Sequence, residues 1–280
     1  MNILFCGDGN IADGVLITTL SLLKNTEEKL HIYILTASFE HGGKKYSGVS
    51  ADFARFLLER VRESDGENSV RLFDISELFS SELPLANMNT RFTPCCMLRL
   101  FADLVPELPD RILYLDNDVV CRRDPSAFYY QDIEGYELAG CLDYYGSWLF
   151  KSKPAKLRRD YLNSGVLLLN MKKIRETELF KNCRARCRSV EMFMPDQSAI
   201  NKLAKYKKIC PRRFNEQRAT KRDTVFRHFT TSFRLFPRFR TVTVKPWDIG
   251  RLHSVLSVFE FDGILNDYVN LRPLYAGKET

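Results

Sequence analysis

The sequence predicts an α/β fold with a mainly parallel, Rossmann-like sheet flanked by helices, ending in a small aromatic, basic and helical extension. Three observations lead there. Through the first 120 residues, short apolar runs alternate with longer segments of helical spacing. The runs are apolar at nearly every residue, as strands covered on both faces are. And 280 residues, 45% of them hydrophobic, can fill one large core.

Taken in order, Asn2 to Cys6 (NILFC) is the first strand. A helix follows over Ala12 to Leu23, with Val15, Leu16, Thr19, Leu22 and Leu23 on its apolar side. LHIYILTA is a second buried strand. ADFARFLLERVRES is an amphipathic helix with Phe53, Phe56, Leu57 and Val61 facing inward. VRLFDIS is a third strand, PCCMLRLFADLVP a helix ending before Pro106, and RILYLDNDVV a strand rich in β-branched and aromatic residues. Beyond Cys121 the pattern loosens. YELAGCLD and NSGVLLLNM are strand-like, and TELFKNCRARCRSVEMF and DQSAINKLAKY are helical. RHFTTSFRLFPRFRTVTVKPWD is aromatic and basic with little periodicity, and GRLHSVLSVFEFDGIL suggests one last amphipathic helix. Residues 1–250 are expected to form the main domain and residues 251–280 a helical extension packed on or beside it.

Composition excludes several classes. No run approaches the roughly 18 to 20 apolar residues needed to cross a bilayer, and Met1 and Asn2 lead into a strand without a basic n-region or cleavage site. A cytoplasmic place is expected. The eight cysteines include no C-x-x-C pair, which argues against a zinc knuckle or a disulfide framework and for buried thiols. Cys183 and Cys187 stand i, i+4 on one helix face, with no second pair nearby. Between Lys181 and Arg251 lie 19 Lys and Arg against 5 Asp and Glu, a local +14 in a chain of net charge +7. Such an excess is either a solvated basic surface or an attraction to a phosphorylated ligand or an anionic membrane. No nucleic-acid motif accompanies it.

Two stretches carry chemistry. In NILFCGDGNIADG, Gly7, Gly9 and Ala12 have the spacing of a dinucleotide-binding turn, but Asp8 would repel a pyrophosphate brought to the backbone N–H groups. Either the glycines are incidental, with Asp8 a helix N-cap, or the ligand presents a hydrogen-bond donor there. In ILYLDNDVVCRRD, Asp116 and Asp118 end an apolar strand. In an extended segment they project to one side roughly 6.5 to 7 Å apart, within reach of one hard cation, at the strand end where α/β sheets hold ligands. Two solvated acids opening a loop are the alternative.

An ordered set of motifs resembles glycosyltransferase family 8, the retaining sugar transferases that include bacterial lipopolysaccharide galactosyltransferases and glycogenin. The likeness spans about residues 1–250. FCGDGNIADG resembles the family's first nucleotide-binding turn, MLRLFADLVP and RILYLDNDVV its Arg helix and D-x-D strand, and YLNSGVLLLN its donor-sugar segment. PDQSAIN resembles its D-Q segment, and His228 with KPW its closing motif. The stretch between His228 and KPW is longer here than in members where the two lie close together.

The resemblance implies a GT-A fold and transfer of a hexose, galactose or glucose, from a UDP-sugar to a hydroxyl of a glycan or glycolipid, as in lipopolysaccharide or surface polysaccharide synthesis. It places Asp8 at the uracil, whose N3–H a carboxylate can accept, with Gly7 beside it and Asn10 near the ribose. It makes Asp116, Asp118 and His228 the ligands of Mn²⁺, with Mg²⁺ the second hard cation such a site admits. Asn117 and Lys245 join the donor site, Lys245 as a point charge on the β-phosphate. For the sugar it implies Arg99, Asp143, Asn163, Asp196 and Gln197. Gln197 stands beside the anomeric carbon if attack comes from the leaving-group face, and Asp143 or Asp196 is the nucleophile if displacement is double. An alternative is a nucleotide-sugar-binding protein without catalysis. A nicotinamide-dependent oxidoreductase fits less well, since HIYILTAS ends without an acid for the ribose. The aromatic and basic stretch FRHFTTSFRLFPRFR suggests peripheral contact with anionic lipid at the inner face of the cell membrane.

Overall fold

The computed structural model describes residues 1–144, 160–234 and 240–276. Strands form where the apolar runs stand: β1 (Asn2–Cys6), β2 (His31–Thr36), β3 (Phe39–His41), β4 (Lys44–Tyr46), β5 (Ser69–Asp74), β6 (Arg111–Leu115) and β7 (Val119–Cys121). They continue as β8 (Leu138–Leu142), β9 (Leu162–Asn170), β10 (Lys207–Cys210), β11 (Phe226–His228), β12 (Ser232–Arg234) and β13 (Arg240–Val242).

Seven of them form one sheet in the order β10-β8-β9-β6-β1-β2-β5. Every pair in it is parallel except those of β9, which runs against both β6 and β8. The chain lays down β1, β2 and β5 in one direction, then returns to place β6 on the other side of β1. That reversal creates a crevice between the carboxyl ends of β1 and β6. Because β9 is reversed, it is its beginning, Asn163 to Gly165, that reaches this edge of the sheet, beside Asp143 just past the end of β8.

Side chains alternate across the sheet. Ile3 and Phe5 of β1 enter one apolar cluster with helices α1 (Ala12–Asn25) and α2 (Ala51–Ser64), whereas Leu4 enters the other with the 94–104 and 179–189 helices. The expected inward residues of α2, Phe53, Phe56, Leu57 and Val61, are buried, and Ser50 caps the helix by accepting from Phe53 N–H at 3.1 Å. α1 is buried on more than its apolar side. Its Thr18 hydroxyl donates to Val119 O at 2.6 Å, and the Ser21 hydroxyl accepts from Cys121 N–H at 2.8 Å. These polar residues therefore hold β7 in place.

Three expectations need correction. RILYLDNDVV is two strands, because Asp116 to Asp118 leave the sheet in a turn closed by Val119 N–H on Asp116 O at 3.2 Å. Asp and Asn favour such turns through their short polar side chains. The pair of aspartates is thus presented by a turn rather than by the pleat of an extended strand. GRLHSVLSVFEFDGIL is two helices, Ile249–Leu256 and Asp262–Leu271, separated where Ser257 adopts the left-handed conformation (φ 53°) and ends the first. The helix beginning at Pro94 winds as a 3-10 helix to Leu104. Within the segment that lacked periodicity lie β11, β12 and β13. Its residues 235–239 lie outside the described residues, so the expected lipid contact of FRHFTTSFRLFPRFR falls partly there.

Candidate active site

The DND turn rests on α1. A Cβ at Gly14 would sit 2.1 Å from Asn117 O, so only glycine lets the helix approach the turn this closely. β7, which follows the turn, pairs antiparallel with β11, and this sets His228 opposite Val119. Phe229 N–H donates to Asp118 O at 2.9 Å, locking the histidine strand to the turn. On the other side β9 supplies Gly165, where a Cβ would lie 2.2 Å from His228 Cε1 and 2.7 Å from Asp116 Oδ2. The glycine of NSGV thus makes room for the imidazole and one aspartate.

Each aspartate has one oxygen held by donors and the other turned to a common point. Asp116 Oδ1 accepts from Arg99 Nη2 at 2.8 Å and from the Tyr114 hydroxyl at 2.6 Å. Asp118 Oδ2 is paired with Lys245 Nζ. His228 Nε2 lies 3.0 Å from Asp118 Oδ1 and 3.7 Å from Asp116 Oδ2. The Asp118 oxygen is buried and has no aligned hydrogen-bond partner among the described residues. Burial alone would raise the Asp118 carboxyl, but Lys245 and His228 outweigh it and hold the group well below the usual carboxylate range. One ligand atom from each of Asp116, Asp118 and His228 lies within 4.8 Å of the others. Two carboxylate oxygens and one imidazole nitrogen, one oxygen otherwise unsatisfied, suit a hard divalent cation.

Arg99 is the brace of this corner. It is buried, with Nε donating to Cys96 O at 3.0 Å and lying 3.3 Å from Asp196 Oδ2, and Nη1 donating to Ser164 O at 2.7 Å. Its guanidinium stands 4.1 Å from the Tyr114 ring centre. Burial works against the charged guanidinium, yet Asp116, Tyr114 and Asp196 raise its pKa well above the ordinary value. Asp196, in the first turn of the 195–203 helix, is engaged by Arg99 and by the Ser164 hydroxyl at 3.1 Å. It does not cap that helix.

Asp143, Asn163 and Gln197 form a buried polar cluster. Asn163 Nδ2 donates to Asp143 Oδ2 at 2.9 Å, and Gln197 Oε1 accepts from Ser164 N–H at 3.0 Å. At the end of β1, Asp8 is buried and caps the short turn Gly9–Ile11, accepting from Asn10 N–H at 3.2 Å and from Asn10 Nδ2 at 3.1 Å. The N-cap reading of Asp8 is what the structure shows, and two acceptor contacts leave a carboxylate capacity for a further donor.

Of the site residues the resemblance implies, all but Asn10 line one cleft of about 300 Å³: Gly7, Asp8, Arg99, the DND turn, Asp143, Asn163, Asp196, Gln197, His228 and Lys245. Asn10 is exposed and reaches only Asp8. Lys245 lines the cleft while paired with Asp118. Sequence reasoning missed Tyr114 and Ser164, which brace the aspartates, Arg91, Phe92 and Phe193 at the cleft wall, and Asn215 behind His228. The adjacency of Tyr114 to Asp116 in the sequence was the available signal for the first.

The eight cysteines are free, six of them buried. Burial raises all eight thiols, those of Cys95, Cys121 and Cys187 to about 12. Cys183 and Cys187 belong to no metal-ligand group among the described residues. At pH 8 the native protein is expected to resist alkylation at all eight and to react fully in denaturant. Fast labelling of several thiols in the native state would contradict this packing. Of the basic third, Arg184 and Arg227 are buried, so part of the charge excess is internal. Among the described residues no helix is long and apolar enough to cross a membrane.

Residues 2–248 match the sequence model of Glycosyl transferase family 8. Two curated relatives, from Haemophilus influenzae and Escherichia coli (strain K12), are each 25% identical to it, over 224 and 223 residues. The second is named lipopolysaccharide 1,2-glucosyltransferase. These stretches are 77% of this chain but 63% and 62% of the relatives, so the chain spans about three fifths of their length. The fold is shared with galactosyltransferase LgtC in complex with donor and acceptor sugar analogues (TM-score 0.67, 20% identity, 96% of both chains). It is shared as well with the bifunctional glycosyltransferase WbbM (TM-score 0.69, 15% identity, 96% of this chain and 49% of that one). With a family match over most of its length and the GT-A architecture of these structures, the chain belongs to glycosyl transferase family 8.

Proposed function

We propose that the protein transfers a hexose, glucose or galactose, from a UDP-sugar to a hydroxyl of a glycan or glycolipid acceptor with retention at the anomeric carbon. The lipopolysaccharide glucosyltransferase among its relatives supports an acceptor of bacterial surface polysaccharide. One observation carries this reading: Asp116, Asp118 and His228 turn three ligand atoms to one point in the crevice between β1 and β6. A bound Mn²⁺ or Mg²⁺ there supplies positive charge where the leaving diphosphate becomes more negative. The chain does the rest. Asp8 accepts from uracil N3–H, and the backbone at Gly7 and Asn117 borders the nucleotide. Arg99 holds Asp116 and Asp196 in place. Lys245, now on Asp118, provides the mobile positive charge for the β-phosphate. Asp143, Asn163 and Gln197 present acceptors and donors to sugar hydroxyls, with Gln197 nearest in kind to a neutral group beside an oxocarbenium face.

The test mixes the protein with UDP-glucose or UDP-galactose, with Mn²⁺ or with chelator, and follows UDP and hexose release. Metal-dependent release supports the reading, and turnover that survives chelation removes it. The base is tested separately. UDP is expected to bind about 10- to 100-fold more tightly than ADP, the worth of one hydrogen bond to a charged acceptor, and Asp8→Ala to close the gap. Equal titration curves for the two nucleotides with the unaltered protein would remove the role of Asp8.

A further inference from the structure

We propose that Asn215 is a positioning residue that fixes where the single ring hydrogen of His228 sits, so that the imidazole offers a bare Nε2 to the cation. The inference rests on the reading of Asp116, Asp118 and His228 as a cation site.

The hydrogen positions follow from Gly165, whose backbone N–H can only donate. The terminal atom of Asn163 lying 3.0 Å from it must therefore be the amide oxygen. The amide nitrogen of Asn163 is then the atom 2.9 Å from Asp143 Oδ2. With Asn163 oriented by two partners, the Asn215 atom 2.9 Å from Asn163 Oδ1 must be its nitrogen. The remaining Asn215 atom, 3.1 Å from His228 Nδ1, is then its oxygen, an acceptor. Nδ1 has to carry the hydrogen. A neutral imidazole has only one, so Nε2 presents a lone pair.

One observation agrees with this direction: Asn215, the link in the middle, is 0% exposed, and its neighbours His228 (3%), Asn163 and Asp143 (6% each) show little surface, so water does not replace the Asn215 contacts. Turning over the Asn215 amide would set its oxygen against Asn163 Oδ1, an acceptor facing an acceptor, and leave that buried oxygen without a donor, at about 1 to 3 kcal/mol. The relay joins the cluster facing the sugar to the imidazole facing the cation through two amides. Outer partners of this kind fix the tautomer of metal-bound histidines and change metal affinity when removed.

The test has two readouts, neither of which depends on sugar transfer. In metal-free protein labelled with ¹⁵N-histidine, with only four histidines to assign, long-range ¹⁵N–¹H correlation reports which nitrogen of His228 carries hydrogen. Titration with Mn²⁺ alone, followed by the electron paramagnetic resonance of the free ion, gives affinity. The unaltered protein should show His228 with hydrogen on Nδ1. Asn215→Leu should lose that preference and bind Mn²⁺ about 10- to 100-fold more weakly. Asn215→Asp, which keeps an acceptor before Nδ1, should retain the preference, and serves if the leucine variant does not fold. Hydrogen on Nε2 in the unaltered protein overturns the proposal, as does an Asn215→Leu variant with unchanged tautomer and Mn²⁺ affinity. Absence of Mn²⁺ binding to the unaltered protein would remove the cation reading, while the tautomer measurement still decides the relay.

Discussion

Asp118→Asn is expected to lower sugar-transfer turnover by about 10² to 10³ while the protein keeps its fold. The substitution preserves size and removes charge at an aspartate with a buried oxygen that has no aligned hydrogen-bond partner among the described residues. It also deprives Lys245 and His228 of the anion they share. Loss of one preorganised electrostatic contact to a developing charge is worth about 2.7 to 4 kcal/mol in the transition state, which corresponds to that range of rates. Steady-state turnover with a UDP-hexose across a Mn²⁺ titration checks it, alongside the circular dichroism melt. If Asp118 serves only the turn, the variant will show altered stability with turnover and metal dependence intact.

Arg184→Met should cost about 3 to 5 kcal/mol of stability, the range for removing one partner of a buried ion pair. Arg184 sits on the 179–189 helix, only 3% exposed, and clamps it to the helix 94–104. Its Nε lies 3.0 Å from Glu82 Oε2, and its Nη1 serves both Asp103 Oδ1 and Leu100 O. The guanidinium also stands 5.1 Å from the Phe101 ring centre. Burial lifts the Asp103 carboxyl above its usual value despite the pull of Arg184, so losing the arginine leaves a largely buried acid without its counter-charge. Urea unfolding followed by tryptophan fluorescence measures the loss. A shift within about 0.5 kcal/mol, ordinary for a surface change, would show that Arg184 is a solvated charge after all.

Arg184 marks one limit of what the sequence discloses. In CRARCRS it counts among basic residues, and nothing local separates it from its solvated neighbours; its partners lie 81 and 102 positions away. The sheet was legible because β1, β2 and β6 are apolar on both faces, a pattern that survives without knowledge of neighbours. The reversed direction of β9 was not, since NSGVLLLN is equally apolar either way round. Residues such as Asp116 and Asp118 stood out because two acids ending an apolar strand conflict with local hydrophobicity. Asn215 carries no such conflict. An asparagine after a short basic turn is ordinary, and its importance lies in what faces it across the fold. The split of the last helix at Ser257 was hidden for a similar reason, as the apolar spacing runs through the break.

The return of the chain from β5 to β6 has a consequence in time. During synthesis β1, α1 and β2 can pair soon after they emerge, but the β6 side of β1 stays an open, apolar edge until β6, which begins more than a hundred residues after β1 ends, has been made. The second strand of the β7–β11 ladder, which carries His228, comes later still. Closing such distant pairs is entropically slow, and an unpaired parallel edge invites association with other chains meanwhile. A ribosome-bound chain stopped before residue 226 would carry the aspartates without their histidine. The corner therefore matures as one of the last steps of folding, and nascent chains of this protein are expected to need shelter for the β1 edge until β6 arrives.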